Sequence, residues 1–451
     1  MFSTLLVLAA AASAVSAHAH HPSRDVHAHH ARAPLPAAEW YHPRDHPTAS
    51  LFRRQNAAVS TDGATYPQVG SPTWTAAYPV STPDSNAMPQ AWKDALNAAI
   101  AAGLIPAVPP TSGAPDANPT YAAGYDPMSP QVCSATYKCR LPGDIWDAPE
   151  GVIGIGFDDG PLPPSDRLYS FLQQNKIKAT HFFIGVNIVN NPKEFLLAIN
   201  QNQDDIAVHT WTHPHMTELT SMDVVAQIGW TMQIIHDSTG GRVPRFWRPP
   251  YGDTDARVSA IAKEVFGLTT IIWNQDSEDW TLTTNGTTPQ AIATNMHNWL
   301  TGPKTPGLII LEHELSDQSV QAFMDNFPLI AANGWKPVSV VETDGQSKPY
   351  QNAVGSTGAV TSANILVGAS SAPPLANTTS STASSTASSA PVSSTPVVSS
   401  AAPSVPPSSA SASTSPTPVA GANQASSNGA APIALPSAVY ALVAVAFGLL
   451  G

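Results

Sequence analysis

From about residue 145 the chain alternates short apolar runs with longer stretches whose apolar positions recur every three or four residues. The short runs are VIGIGF (152–157), ATHFFIG (179–185), DIAVHT (205–210), RFWRPP (245–250), TTIIWN (269–274), GLIILEH (307–313) and KPVSVVE (336–342). Helical patterns lie between them: SDRLYSFLQQN, PKEFLLAINQN, SMDVVAQIGWTMQIIHDSTG, DARVSAIAKEVFG, TPQAIATNMHNWL and SDQSVQAFMDNFPLIAANG. Several open on Ser, Thr or Asp and close at Gly, the residues that cap helix ends. Strand then helix, repeated to about residue 350, predicts an α/β fold with about seven parallel strands and right-handed crossovers. Such a sheet is either doubly wound or closed into a barrel. The first strand–helix turn lacks G-x-G-x-x-G, which removes the usual reason to choose a dinucleotide-binding sheet.

The polar residues punctuate this rhythm at one end. DDGP follows the first apolar run, HTWTH the third, RPPYG the fourth, DSEDW the fifth and LEH closes the sixth. All five stand at the C-terminal ends of strands, where parallel α/β barrels build active sites. A charged surface turn is the plain alternative for the adjacent acids Asp158 and Asp159. Surface charges would not choose the same end five times.

His209 and His213, at i and i+4 in HTWTH, have a spacing common among zinc ligands, and His215 offers a competing i, i+2 pairing with His213. An aspartate from the first strand completes three ligands, and three with an open position mark a catalytic site. The paired acids then divide the labour. One carboxylate binds the metal and the other serves as base for its water, and the cation makes two adjacent ionised carboxylates tolerable. A glycosidase also uses two carboxylates, but separated by roughly 5–9 Å across the scissile bond. Neighbouring acids beside a histidine pair fit a metal site better.

In this order, FDDGP, HTWTH, RPPYG, DSEDW and LEH resemble the five motifs of the polysaccharide deacetylase family (NodB homology domain, carbohydrate esterase family four). The resemblance spans about residues 150–345 and implies a distorted (β/α) barrel holding one divalent metal per site, zinc first, with cobalt as a substitute. Carried over by position, it implies that Asp158 is the catalytic base and that Asp159, His209 and His213 are the metal ligands. Asp159 also faces the substrate. Arg248 tethers the base, the Tyr251 backbone N–H helps hold the oxyanion, and His313 is the general acid. Asp279 orients His313, with Asp276 as the alternative carboxylate for that task. Trp280 and Leu311 line the groove and the acetyl-methyl pocket. The first motif usually begins Thr-Phe, and Gly156-Phe157 here touches no catalytic atom.

The remaining sequence changes the picture outside this region. Residues 1–17 read as a secretory signal peptide, and the His-rich 18–54, ending in Arg53-Arg54, as a leader or propeptide. Residues 55–144 form an extension wrapped on the main domain, 145–350. Its two cysteines, Cys133 and Cys139, are the whole complement of the chain, and in an oxidising compartment they pair. Residues 351–428, rich in Ser, Thr, Ala and Pro, read as a disordered, O-glycosylated stalk. Residues 429–451 read as a GPI-attachment signal, with Asn428 as the attachment site and Ser426 or Ser427 as alternatives. Asn285 and Asn377 begin N-glycosylation sequons. The formal charge of −12 argues against nucleic acid as a partner. A secreted, stalked and lipid-anchored chain resembles wall-associated fungal members of the family. The substrate that implies is chitin or its oligosaccharides, met by a monomer at the plasma membrane and cell wall. An acetylxylan or other acetyl-glycan esterase, and a non-catalytic glycan-binding mannoprotein, are the competing readings. No catalytic position is substituted, which counts against the last.

Overall fold

A computed structural model of the chain describes residues 60–113, 117–346 and 348–369. The signal, the leader, Asn377, Asn428 and the GPI signal lie outside the described residues. Strand β1 (Val152–Asp158) stands at the centre of the sheet. Side chains alternate along a strand. Ile153, Ile155 and Phe157 therefore join the large apolar cluster shared with the helices, while Gly154, Gly156 and Asp158 take the other face. A Cβ on Gly154 would lie 2.9 Å from Val340, and one on Gly156 3.0 Å from it. The two glycines leave room for Val340 to join a second, inner cluster with Phe182, Ala207, Phe246, Ile309 and Leu311.

The other strands are β2 (Thr180–Phe183), β3 (Asp205–Val208), β4 (Phe246–Trp247), β5 (Thr269–Thr270), β6 (Gln275–Asp276), β7 (Leu308–Leu311) and β8 (Lys336–Ser339). Their order is β5-β4-β3-β2-β1-β7-β6, with β8 also paired to β1, and every pairing is parallel. The two ends of that ladder, β5 and β6, are consecutive in the chain and separated only by residues 271–274. A linker that short cannot cross a flat seven-strand sheet, so the sheet curls into a distorted barrel. Only the first two residues of the run TTIIWN form β5, and β6 begins just past its end at Gln275, giving eight strands where the pattern predicts about seven.

The principal helices are α1 (Gln90–Ala101), α2 (Ser165–Asn175), α3 (Ser221–Ser238), α4 (Ala256–Phe266), α5 (Pro289–Thr301) and α6 (Asp317–Asn326). Thr220, Asp255, Thr288 and Ser316 cap the last four through their side chains. Three patterns deviate. PKEFLLAINQN is a short helix, Pro192–Leu196, running into a π turn, Leu197–Asn202. The last helical pattern breaks before Pro328, which has no N–H for the helix ladder. A helix over Gly185–Asn190, absent from the pattern, begins inside the run ATHFFIG.

In the segment before the barrel, Trp74, Trp92 and Leu96 are buried in the main cluster, and Cys133 and Cys139 form a disulfide. The predicted stalk boundary at 351 is displaced. Ile365 and Leu366 are buried, Ser356 Oγ donates to Asp205 Oδ1 at 2.7 Å, and Val367 N–H bonds Val265 O. The packed body therefore runs through about residue 367. The small and polar composition of 351–364 hides the two apolar residues that tie it down.

Candidate active site

Strand ends bring the motifs together. Asp158 N–H donates to Glu312 O and Glu314 N–H to Asp158 O, so the end of β1 pairs with the segment following β7 and a β-bridge sets Asp158 beside His313. Asp158 is buried. Arg248, fully buried after β4, donates from Nη1 to Asp158 Oδ1 at 2.7 Å and lies 4.2 Å over the Phe182 ring. The other Asp158 oxygen, Oδ2, is 3.8 Å from His209 Nε2. The guanidinium is the counter-charge held directly against that buried carboxylate.

His313 meets Asp279 twice. Its backbone N–H donates to Oδ2 at 2.9 Å, and Nδ1 lies 2.6 Å from Oδ1. Burial opposes an imidazolium here, but the Asp279 charge and hydrogen bond outweigh it, and the pKa is pushed up to about 10. Asp276 instead accepts from Glu278 N–H, so it is Asp279 that meets His313.

Asp159, His209 and His213 present one ligand atom each within 4.8 Å of one another. Asp159 Oδ1 is 3.4 Å from His209 Nε2 and 3.3 Å from His213 Nε2. That oxygen is buried without a hydrogen-bond partner among the described residues. His209 Nδ1 lies 2.7 Å from the Arg248 carbonyl, which only accepts, so Nδ1 carries the proton. In the neutral ring the Nε2 lone pair then faces Asp159. Burial holds His213 down at about 4, so its ring is neutral. Three acceptors turned toward one point repel each other unless a cation lies between them. The donor set, two imidazole nitrogens and a carboxylate with an outer bond fixing one ring, fits a divalent metal.

The turns around these donors are unusual. Asp159 (φ 73), His213 (φ 58) and Tyr251 (φ 58) all adopt left-handed backbone, which costs on the order of 1–3 kcal/mol at a residue with a Cβ. Specific bonds hold them there. Asn187 Nδ2 donates to the Asp159 carbonyl at 2.8 Å. Gln227 Oε1, from α3, accepts from both Trp211 N–H and Thr212 N–H at 2.9 Å, and its Nε2 donates to Thr212 Oγ1. Gly185 lets the indole in, since a Cβ there would fall 2.1 Å from Trp211. No motif flagged Gln227 or Asn187. The signal for Gln227 was a glutamine at a fully apolar position of an otherwise hydrophobic helix face.

A cavity of about 280 Å³ lies above these groups. Trp280 and Leu311 line it as expected, and Trp273 and Leu315 line it unannounced by any motif. Trp280 and Tyr251 are half exposed at its rim. Asn285, exposed, ends the 3-10 turn Asp279–Thr284 that carries Trp280.

The profile described as polysaccharide deacetylase matches residues 147–270. Chitin deacetylase 3 of Cryptococcus neoformans var. neoformans is 39% identical over 340 residues, covering 74% of this chain and 79% of its own length. The chitin deacetylase of Amylomyces rouxii is 34% identical over 225 residues, 49% of this chain and 52% of that protein. Among solved structures, the chitin deacetylase of Colletotrichum lindemuthianum aligns over 47% of this chain and 97% of its own, with 24% identity and a TM-score of 0.42.

Proposed function

The chain belongs to the polysaccharide deacetylase family, and from that premise we propose that it hydrolyses the N-acetyl groups of chitin to acetate and free glucosamine units. The observation that carries this reading is the placement of a tethered carboxylate, Asp158, and a carboxylate-backed histidine, His313, beside one cluster of three metal-type donors. What a divalent cation supplies on Asp159, His209 and His213, zinc first and cobalt as its substitute, is Lewis acidity: a more acidic water and a polarised acetyl carbonyl. Asp158, with Oδ1 held by Arg248, takes the water proton on its other oxygen as the water oxygen adds to the carbonyl carbon. The Tyr251 N–H donates to the oxyanion that forms. His313 then gives its Nε2 proton to the amide nitrogen as the C–N bond breaks, while Asp279 on Nδ1 holds the ring in place. Protonation of the leaving nitrogen is what an amide demands and an ester does not, so a histidine held protonated favours N-deacetylation. Tyr251 and Trp280, half exposed at the rim, offer sugar rings aromatic surface, and Leu311 offers the acetyl methyl an apolar wall.

The relatives named chitin deacetylase support the substrate class. The setting we propose is the fungal cell surface, with a monomer anchored through a GPI lipid at Asn428 and sugar on Asn285 and Asn377. The deciding experiment measures acetate release from chitin oligomers, peptidoglycan and acetylxylan by full-length protein, with and without a chelator, alongside elemental analysis. Chelator-sensitive release from chitin oligomers, restored by zinc or cobalt, is expected. Full activity in metal-free protein would sink the mechanism, and release from acetylxylan alone would move the substrate.

A further inference from the structure

His215 lies two residues beyond a proposed metal ligand, and the reaction as described gives it no task. Its ring is stacked on Tyr251, with centroids 4.1 Å apart and planes at 16°. His213 touches the same tyrosine ring edge-on at 4.5 Å. Nδ1 of His215 is buried without a hydrogen-bond partner among the described residues, and the nearest carboxylate, Asp253 Oδ2, is 3.9 Å away. A directed polar bond on that nitrogen therefore does not explain the ring's position. The ring-on-ring contact remains.

Tyr251 needs such a contact. It stands at φ 58, a strained conformation for a residue with a Cβ, and the residue is 57% exposed, so burial does little to hold it. A second tie docks the same two segments. Asp253, two residues after Tyr251, accepts from Thr217 N–H at 2.8 Å, from the Thr217 hydroxyl at 2.9 Å and from Thr136 Oγ1 at 3.0 Å. Thr217 stands two residues after His215. The pairs His215–Tyr251 and Thr217–Asp253 thus fix the oxyanion turn to the ligand loop at two points, one aromatic and one polar. Thr136, inside the Cys133–Cys139 disulfide loop, braces the polar tie from behind.

We propose that His215 is a positioning residue, whose flat ring holds Tyr251 in the left-handed conformation that directs its backbone N–H into the site. The inference rests on the oxyanion role given to Tyr251 above. It follows that the face of the ring matters and its nitrogens do not. His215→Phe should keep the rate within about threefold, whereas His215→Leu, of similar bulk without a flat face, should lower kcat roughly 10–100-fold, a fraction of what a lost oxyanion donor costs. KM and bound metal should stay near those of the parent protein. Tyr251→Ala keeps the N–H but removes the ring, so adding His215→Leu to it should cost nothing further.

The measurements are kcat, KM and metal content of full-length variants on chitin oligomers and on acetylxylan. An unchanged kcat in His215→Leu, a loss that tracks lost metal, a His215→Phe variant as poor as His215→Leu, or losses that multiply with Tyr251→Ala would each overturn the proposal. Parent activity confined to acetylxylan would overturn the chitin reading and leave the variants to judge the stack. Inactivity on both substrates would overturn both.

Discussion

Asp158 and His313 are set against each other by the ladder between the ends of adjacent parallel strands, and Arg248 and Asp279 then lock each side chain at 2.7 and 2.6 Å. Asp159, His213 and Tyr251, across the same cavity, stand in turns at positive φ, held by side-chain bonds and ring contacts from neighbouring segments. The proposed acid–base half is thus placed by register, a property of the whole sheet. The proposed metal and oxyanion half is placed by local props on strained backbone. Register resists single substitutions, so damage to the first half should show as lost chemistry with geometry and metal intact. Damage to a prop should show as lost metal or a misplaced turn.

The largest expected effect tests that division at the two adjacent acids. Asp158→Asn keeps the shape of the base but removes its proton-accepting charge, and should lower kcat by about 10²–10⁴ with metal content unchanged. Asp159→Asn should lose metal together with activity. Paired measurement of turnover and bound zinc separates the outcomes. Metal lost from Asp158→Asn and kept in Asp159→Asn would mean that the two roles are exchanged.

A prop is tested next, at Gln227. Removing its carbonyl leaves Trp211 N–H and Thr212 N–H, between His209 and His213, without their acceptor. Gln227→Ala should weaken metal binding by about tenfold to a hundredfold, the usual cost of an outer support, while Gln227→Glu, which keeps the acceptor, should bind more tightly than the alanine variant. A chelator titration reads this directly. Equal affinity in the alanine variant and the parent would show that the loop holds its shape unaided.

The two halves also differ in how far the sequence discloses them. Asp158, Arg248 and His313 stand at the ends of apolar runs and Asp279 a few residues past one, and the alternation that marks a strand also marks its C-terminal end. The curl of the sheet was less legible, because TTIIWN reads as one strand, whereas only Thr269–Thr270 pair as β5 and a separate β6 begins past the run at Gln275, where the ladder closes on itself. His209 and His213, proposed as ligands, were marked out by their spacing. Their supports were not. Gln227 acts across 15 residues and Asn187 across 28, and no local periodicity reports a bond to a distant backbone. The left-handed backbone at Asp159, His213 and Tyr251 was equally hidden, since none of the three is a glycine. Residues 351–367 were misplaced because low complexity was read where two buried apolar residues and a few hydrogen bonds suffice to dock the chain.

A smaller effect sharpens the acid–base half. In its proposed role His313 must be protonated to donate, so activity should be present below its pKa and lost above it. Asp279 is the main partner raising that pKa against burial. Asp279→Asn should therefore move the alkaline limb of the pH–kcat profile to lower pH, in addition to lowering the maximum. A limb that stays in place would assign it to another group.

The smallest effect lies beneath that half. His181 on β2 is fully buried between Glu314 Oε1 at 2.7 Å and Asp204 Oδ2 at 3.1 Å, and Tyr169 donates to the other Glu314 oxygen at 2.8 Å. Glu314 is also the residue whose N–H pairs with the Asp158 carbonyl, so this buried group underlies the register of base and acid. Burial opposes the imidazolium, but Glu314 and Asp204 outweigh it and raise the pKa from 6.5 to about 10. A pKa raised by folding means that the folded state binds the proton more tightly than the unfolded chain. The stabilisation is then complete below about 6.5 and is lost progressively as pH rises toward about 10. His181→Gln cannot carry the charge. Its thermal midpoint should lie below that of the parent protein near neutral pH, and the gap should narrow as pH rises through that window. Melting both proteins across it is the check. Parallel curves would show that the ring acts there by shape alone, and that Asp158 keeps its place through strand pairing without help from the charge below.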